Sequence, residues 1–404
     1  MYPLTNKNVL GIVAEYNPFH NGHLYQLEKC KEQSSADYTV AVISGNFTQR
    51  GEVAILDKWN RAKMAILAGV DLVVELPFYF ACNSAEYFAK GSIDILNALG
   101  NVTHLGFGSE SGDVDALVDV ANKLAVESDE LKKAIKEKLD SGMSFPKARS
   151  EALCGEAKLI LQSPNNILAI EYIKNLLLTN SSIKPVTVKR YQKGYHEDGV
   201  LNDISSATYI RQVLKEKGID SLKGVPNTTK EILKENIDNL TFNDDENLFN
   251  LLKYKILSSE PRELSYIFSV GEGIENKVIK EIRTCNSLEE LIDKVKSKRY
   301  TRTRVQRIFA HMLVGLKKDA DIPQYIRVLG FNKKGSELLK EIKKKKLSTL
   351  PVVTNINKVQ NINFDLDIRA NDIYNLISKN DTYKYSDFIK QPVIIHWFIN
   401  AYNV

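Results

Sequence analysis

The 404-residue chain has only four cysteines, Cys30, Cys82, Cys154 and Cys285, and no two form a CxxC pair. That spacing excludes a disulfide-framed module and a thiolate zinc site, and it fits reduced thiols in a cytoplasm. No run of 18 apolar residues occurs, and Met1–Lys7 has no signal-peptide core. Neither a membrane span nor a secretory leader is expected. Low-complexity linkers and internal repeats are missing too. Acidic residues are scarce in one region. Between Lys294 and Lys346 stand 17 Lys/Arg and only four acids, a local +13 in a chain of net charge +5.

Histidine is also sparse, with six in all, yet two of them sit in the run Asn17-Pro18-Phe19-His20-Asn21-Gly22-His23. This run follows the apolar segment Val9–Ala14, so a buried strand is expected to pass directly into a helix starting near Gly22. Residues three apart on a first helical turn share a face. Both imidazoles can then point at one ligand, where free N–H groups and the positive dipole end favour phosphate. The plainer reading is a cap and a surface residue. Zinc lacks a nearby third ligand.

Apolar segments alternate with amphipathic ones through the first half. Strands are expected at Val9–Ala14, Tyr38–Ile43, Leu72–Leu76, Thr103–Phe107 and Ile183–Tyr191. Helices are expected at Leu24–Lys31, Asp57–Ala68, Ser84–Leu99, Asn165–Leu178 and Ser206–Lys217. Near-continuous apolar strands between helices imply an α/β fold, a Rossmann-like parallel sheet covered on both faces. Its ligands belong beyond the carboxyl ends of the strands, where strand order switches. After Gly218–Pro226 the strand signals fade and helical periodicity dominates. The division expected is residues 1–220 as a nucleotide-binding catalytic domain and 221–404 as a mainly helical, basic domain.

Four more segments suit a nucleotide. Gly106-Phe107-Gly108-Ser109-Glu110 ends a strand and offers bare backbone to a base or ribose, or simply turns the chain. Ser163-Pro164-Asn165-Asn166 opens a helix, and its asparagines can read a base edge or cap the helix. Lys189-Arg190-Tyr191 closes the fifth strand with cations. Ser205-Ser206-Ala207-Thr208-Tyr209-Ile210-Arg211 places hydroxyls and a cation on a helix start, a second anion cradle facing His20 and His23. Ser44–Gly51 either lines an acceptor pocket or forms a surface loop.

These segments resemble the nucleotidylyltransferase superfamily. Its H-x-G-H signature matches His20–His23, and its I-S-S-T-x-I-R signature matches Ser206–Arg211, with Ala207 replacing a serine. More narrowly, the whole chain resembles the bacterial tRNA(Met) cytidine acetate ligases. That resemblance rests on Ala14–Tyr25, Ser44–Gly51, Phe107–Glu110, Ser163–Leu168 and Thr301–Arg304. It implies an enzyme in which acetate attacks ATP to give acetyl-adenylate, and the wobble cytidine of elongator tRNA(Met) then takes the acetyl group. It also implies ATP contacts from Ile12, Val13, Ala14, Glu15, Tyr16, Asn17, Pro18, Phe19, His20, Asn21, Gly22, His23, Leu24 and Tyr25, from Gly106, from Asn165 or Asn166, and from Arg190. His20, His23, Thr208 and Arg211 would be catalytic. Mg²⁺ is expected with ATP, no protein-bound metal site is expected, and no obligate protein partner is evident.

The basic region suits a polyanion. Arg299, Arg302, Arg304 and Arg307, with Tyr300 among them, can grip phosphates and stack on bases. Lys333, Lys334, Lys343 and Lys344 extend that charge; the alternative is a solvated helix face. Two other function classes share parts of this pattern. A small-molecule adenylyltransferase needs the first half only, and a nucleotide-gated RNA-binding protein needs no chemistry.

Overall fold

Val9–Ala14 (β1) leads the architecture, and Tyr38–Ser44 (β2) and Leu72–Leu76 (β3) are buried at every residue. Strands without a polar side need cover on both faces. That cover comes from the intervening helices Asn21–Ser34, Lys58–Leu67 and Ala85–Leu99. The computed structural model describes residues 7–190, 205–241, 245–378, 380–381 and 384–396. Tyr191, expected to close the fifth strand, lies outside them.

Residues His104–Ser109 (β4) and Lys184–Lys189 (β5) complete the parallel set. β1 pairs with β2 from Val9↔Tyr38 and with β4 from Leu10↔His104; β2 pairs with β3 and β4 with β5. The chain thus moves outward from β1 to β3, then crosses to β4 and β5 on the other side. The switch in strand order falls between β1 and β4, and the crevice above their carboxyl ends is where such folds bind ligands.

The second half is helical from Asn227 to Val314, as its periodicity implied. It also supplies strands that the sequence reading missed. Ile326–Asn332 (β6) runs antiparallel to β3, from Leu72↔Phe331 to Glu75↔Arg327. Val352–Val353 (β7) and Val393–Ile395 (β8) pair in parallel with β6. The sheet is therefore mixed, in the order β5-β4-β1-β2-β3-β6-β7, with β8 also on β6. Tyr325–Phe331 is a short, mostly apolar run broken by Arg327 and without helical period, the pattern of a largely buried strand.

This antiparallel strand carries the chain to the amino-terminal end of the sheet. The Asn332 N–H donates to the Asp71 carbonyl at 3.0 Å, and Asn332 caps the helix Lys333–Lys345. Lys334 Nζ donates to the Asp37 carbonyl at 3.0 Å, one residue before β2. Lys333 and Lys334 thus sit at the opposite end of the strands from the switch-point crevice, about 20 Å away along a seven-residue strand. The basic region is continuous in sequence but is divided in space.

Candidate active site

Beyond Ala14 the chain turns sharply. Tyr16 has φ +49°, and the Asn17–Pro18 peptide is cis. Buried Asn17 holds this turn, its Oδ1 accepting the Ile55 N–H at 2.9 Å. Arg61 supports it from below and is wholly buried. Its Nη1 donates to the carbonyls of Glu15 at 2.6 Å and Ser44 at 3.1 Å, its Nε donates to Leu56 O at 3.0 Å, and its Nη2 donates to Gly45 O. One guanidinium thereby ties together the ends of β1 and β2. Its partners are backbone carbonyls, so no sequence pattern marks it.

His20 is the N-cap of Asn21–Ser34. His20 Nδ1 accepts the His23 N–H, and His23 Nδ1 accepts the His20 N–H, each at 3.3 Å. This is a capping box built from two imidazoles. The rings stack with centroids 3.6 Å apart and planes at 18°. With both Nδ1 atoms accepting, each neutral ring carries its proton on Nε2. Burial, and then the charge of Arg190, hold His20 down to about 3. Burial, His20 and Arg190 hold His23 well below its usual 6.5. At neutral pH the pair presents two uncharged N–H donors at a helix start, in a field already favourable to phosphate.

Arg190 stands across the crevice, just past β5. Its N–H donates to Ser109 O at 2.8 Å. Burial lowers its pKa while Glu110 opposes that shift. No hydrogen bond or ion pair engages its guanidinium among the described residues.

Glu110 has a different task. Its Oε1 accepts from Asn165 Nδ2 at 2.6 Å, and its Oε2 accepts the Asn166 N–H at 2.8 Å. It thus satisfies the start of the helix Pro164–Leu178. Asn166 is buried, receives the N–H groups of Glu110 and Ser111 on Oδ1, and donates to Ile160 O. Asn166 is committed to the fold, whereas half-buried Asn165 keeps an Oδ1 with no hydrogen bond among the described residues. Gly106 leaves no room for a side chain: a Cβ there would fall 2.8 Å from Cys30 Sγ on the first helix.

Ser206 caps Ala207–Lys217, accepting the Tyr209 N–H at 3.2 Å. Thr208 is exposed on the first turn. Arg211 reaches the histidine loop, where Nη1 donates to Asn17 O at 2.9 Å and Nη2 lies 3.5 Å from Glu52 Oε2. The structure therefore brings the second cradle against the first.

Ser44–Gly51 is not a plain surface loop, since Ser44 through Thr48 are buried. Asn46 Oδ1 accepts the Lys58 N–H at 2.7 Å, and its Nδ2 donates to Asn371 Oδ1 at 2.9 Å. Beneath it, Lys58 Nζ bonds Glu75 at 2.8 Å and Asp387 at 3.0 Å, and Arg327 joins Asp387 at 2.8 Å. Gln49 turns toward the crevice, its N–H donating to Glu15 Oε1 at 2.7 Å.

The basic helix Arg302–Val314 abuts this loop. Arg307 Nη1 donates to Gln49 O at 3.4 Å, and a Cβ at Gly51 would fall 2.4 Å from the Arg307 nitrogen. Buried His311 bonds Cys82 O through Nε2 at 2.6 Å and Ser269 Oγ through Nδ1 at 2.8 Å. Of the four arginines, Arg299 pairs with Glu272 at 3.1 Å and Arg302 with Glu289. Arg304 lies 4.1 Å over the Tyr300 ring. Exposed Lys343 and Lys344 end the far helix.

Among the described residues, no three His, Cys, Asp or Glu side chains gather into a metal cage, and no helix is long and apolar enough to cross a membrane.

A mostly parallel sheet whose first strand delivers paired imidazoles to a helix start, with cations closing the switch-point crevice, is a nucleotidyl transferase architecture. The chain matches the HIGH Nucleotidyl Transferase family over residues 7–387. It is 46% identical over 402 residues to the tRNA(Met) cytidine acetate ligase of Thermoanaerobacter sp. (strain X514), covering 96% of this chain and 99% of that one. It is 42% identical over 407 residues to the Clostridium perfringens protein of the same name, covering 96% and 99%. The crystal structure of Thermotoga maritima TmcAL bound with alpha-thio ATP superposes with a TM-score of 0.86 at 35% identity, covering 96% of this chain and all of that one. The chain belongs to the HIGH nucleotidyl transferases and, among them, to the tRNA(Met) cytidine acetate ligase family.

Proposed function

We propose that this chain activates acetate with ATP and transfers the acetyl group to N4 of the wobble cytidine in elongator tRNA(Met). The observation that carries this reading is the pair of Nε2–H donors on His20 and His23, facing across the switch point the guanidinium of Arg190, which no described residue engages by hydrogen bond or ion pair. Full-length likeness to acetate ligases supplies the substrate class.

The first step forms a bond from an acetate oxygen to the α-phosphorus and breaks the bond to pyrophosphate. Acetate arrives ionised, so this step needs alignment and charge stabilisation rather than a base. His20 and His23 donate to phosphate oxygens while remaining uncharged. Arg190 and Arg211 hold the triphosphate, with Thr208 and the Ser206 helix start on the leaving side. Residues Ile12–Tyr25 form the floor, and Asn165 rather than Asn166 is the asparagine placed to touch the nucleoside. Mg²⁺, accompanying ATP, would help to neutralise the phosphate charge.

In the second step the cytidine amine attacks the acetyl carbonyl and AMP leaves. The acceptor approaches over Ser44–Gly51, where Arg304 and Arg307 border the crevice. We assign nucleotide chemistry to residues 1–220 and the RNA grip chiefly to the helices after residue 221. Arg299 and Arg302 contribute once their carboxylates release them, and Lys333, Lys334, Lys343 and Lys344 form a second, remote patch. Acetate-dependent exchange of pyrophosphate into ATP tests the first step. Exchange without acetate, or none at all, would count against it.

A further inference from the structure

The first step needs no base, but the second releases a proton as an amine becomes an amide. Three carboxylates stand near the carboxyl ends of β1 and β4. Glu110 is committed to the start of the helix Pro164–Leu178. Glu52 pairs with Arg211. The imidazoles of His20 and His23 are committed as well, with Nδ1 accepting backbone N–H groups and Nε2 carrying the proton offered to phosphate.

Glu15 remains. It opens the turn out of β1, held by Arg61 through its carbonyl and by the Gln49 N–H through Oε1. No described donor hydrogen-bonds Oε2. Gln49 belongs to the loop bordered by Arg307, so Glu15 joins the β1 turn that leads to the histidines to the loop that meets the basic helix.

We propose that Glu15 is the general base of acetyl transfer, taking a proton from the cytidine amine as that amine attacks the acetyl carbonyl. The proposal rests on the acetate-ligase reading. The nitrogen forms the new bond to the carbonyl carbon, the bond from that carbon to the adenylate oxygen breaks, and AMP carries away the electron pair. The proton passes to Glu15 Oε2 and then to solvent.

The surroundings suit this task. Burial dominates and raises the affinity of Glu15 for its proton; Glu52 acts in the same direction. The Gln49 N–H, Arg61 from one helix and Arg211 from another oppose that rise and keep the ionised form accessible. Tyr172 and Cys82 also face Glu15, and burial holds both in their protonated, uncharged forms. A carboxylate raised above its ordinary 4.5 is a stronger base than a solvated one.

The test uses the full chain and the variant Glu15→Gln, whose amide oxygen can still accept the Gln49 N–H. Transfer is followed in a single turnover from supplied acetyl-adenylate to a tRNA(Met) transcript, and ATP–pyrophosphate exchange is measured on the same preparation. Transfer should fall about 100-fold more than exchange, at the lower end for loss of a general base. Wild-type transfer should show an acid limb with its midpoint above pH 4.5. That limb should vanish in Glu15→Gln and return, with part of the rate, in Glu15→Asp. Equal losses in transfer and exchange, or an unchanged acid limb in Glu15→Gln, overturn the proposal. If Glu15→Gln does not fold, wild-type transfer that stays flat down to pH 4.5 overturns it. A wild-type protein that transfers nothing overturns the acetate-ligase reading and the base with it; the other adverse results leave that reading standing.

Discussion

His20 and His23 cap one helix through each other. Each Nδ1 takes the other's backbone N–H at 3.3 Å, and the stacked rings keep their protons on Nε2, with no hydrogen-bond partner there among the described residues. Fold and chemistry share the same atoms here. The capping box fixes the tautomer that the proposed phosphate contact needs, and burial keeps the rings neutral.

His23→Ala should therefore act twice. Losing one preorganised donor costs about 3 kcal/mol in the transition state, a hundredfold or more in adenylate formation. Losing the reciprocal cap should cost a further ~1 kcal/mol of fold stability. Pyrophosphate exchange and a thermal melt read the two effects separately.

Arg190→Ala and Arg211→Ala should differ in the same two readouts. Arg190 has no hydrogen-bonded partner for its guanidinium among the described residues, so its loss should weaken ATP binding by roughly tenfold or more, an interaction of about 1.5–3 kcal/mol, with little change in melting temperature. Arg211 also holds Asn17 O at 2.9 Å, so its loss should raise the KM for ATP and lower the melting temperature as well. Calorimetric titration with ATP and a melt on each variant check this contrast.

The buried histidines set an acid limit on stability. His20 is held down to about 3 and buried His311 to about 4, both chiefly by burial. The unfolded chain takes up these protons near pH 6.5 and the folded chain does not. Stability is therefore full above pH 6.5 and declines as pH falls from 6.5 toward 4 and then 3. His311 alone should account for a decline on the order of 3 kcal/mol by pH 4. Denaturation midpoints between pH 7.5 and 4 should show the decline, and His311→Gln should flatten part of it.

The two basic patches should separate functionally. Arg304→Glu with Arg307→Glu should weaken tRNA binding strongly and lower the log–log salt slope by roughly one for each phosphate that the helix no longer neutralises. Lys333→Glu with Lys334→Glu, at the far end of the strands, should change it much less. Arg302→Glu also gives up its pairing with Glu289, so circular dichroism must accompany its binding data. Filter binding across a salt series gives the comparison.

The parallel half of the sheet was legible because its first three strands are mostly apolar and its helices amphipathic. Leu72–Leu76 matches the expected strand to the residue, and the histidine motif falls where a strand meets a helix, as spacing implied. β6 was missed because Tyr325–Phe331 lies between helical stretches and has no second apolar strand beside it in sequence. Its antiparallel course also separates Lys333 from Arg307, a division that charge counting along the chain cannot register. Arg61 left no trace because it bonds carbonyls, which every residue has. Glu110 was marked within a candidate segment, but its task was not, because its partners are the helix start at Asn165 and Asn166, 55 residues and more away.

Whether this crevice couples acetate to the wobble cytidine is tested most directly by mass analysis of nucleosides from elongator tRNA(Met), after incubation with the purified chain, ATP and acetate. N4-acetylcytidine should appear only with all components present, and should be strongly reduced for His23→Ala. Unmodified cytidine in tRNA that the protein demonstrably binds, with ATP intact or consumed without acetate, would contradict that coupling.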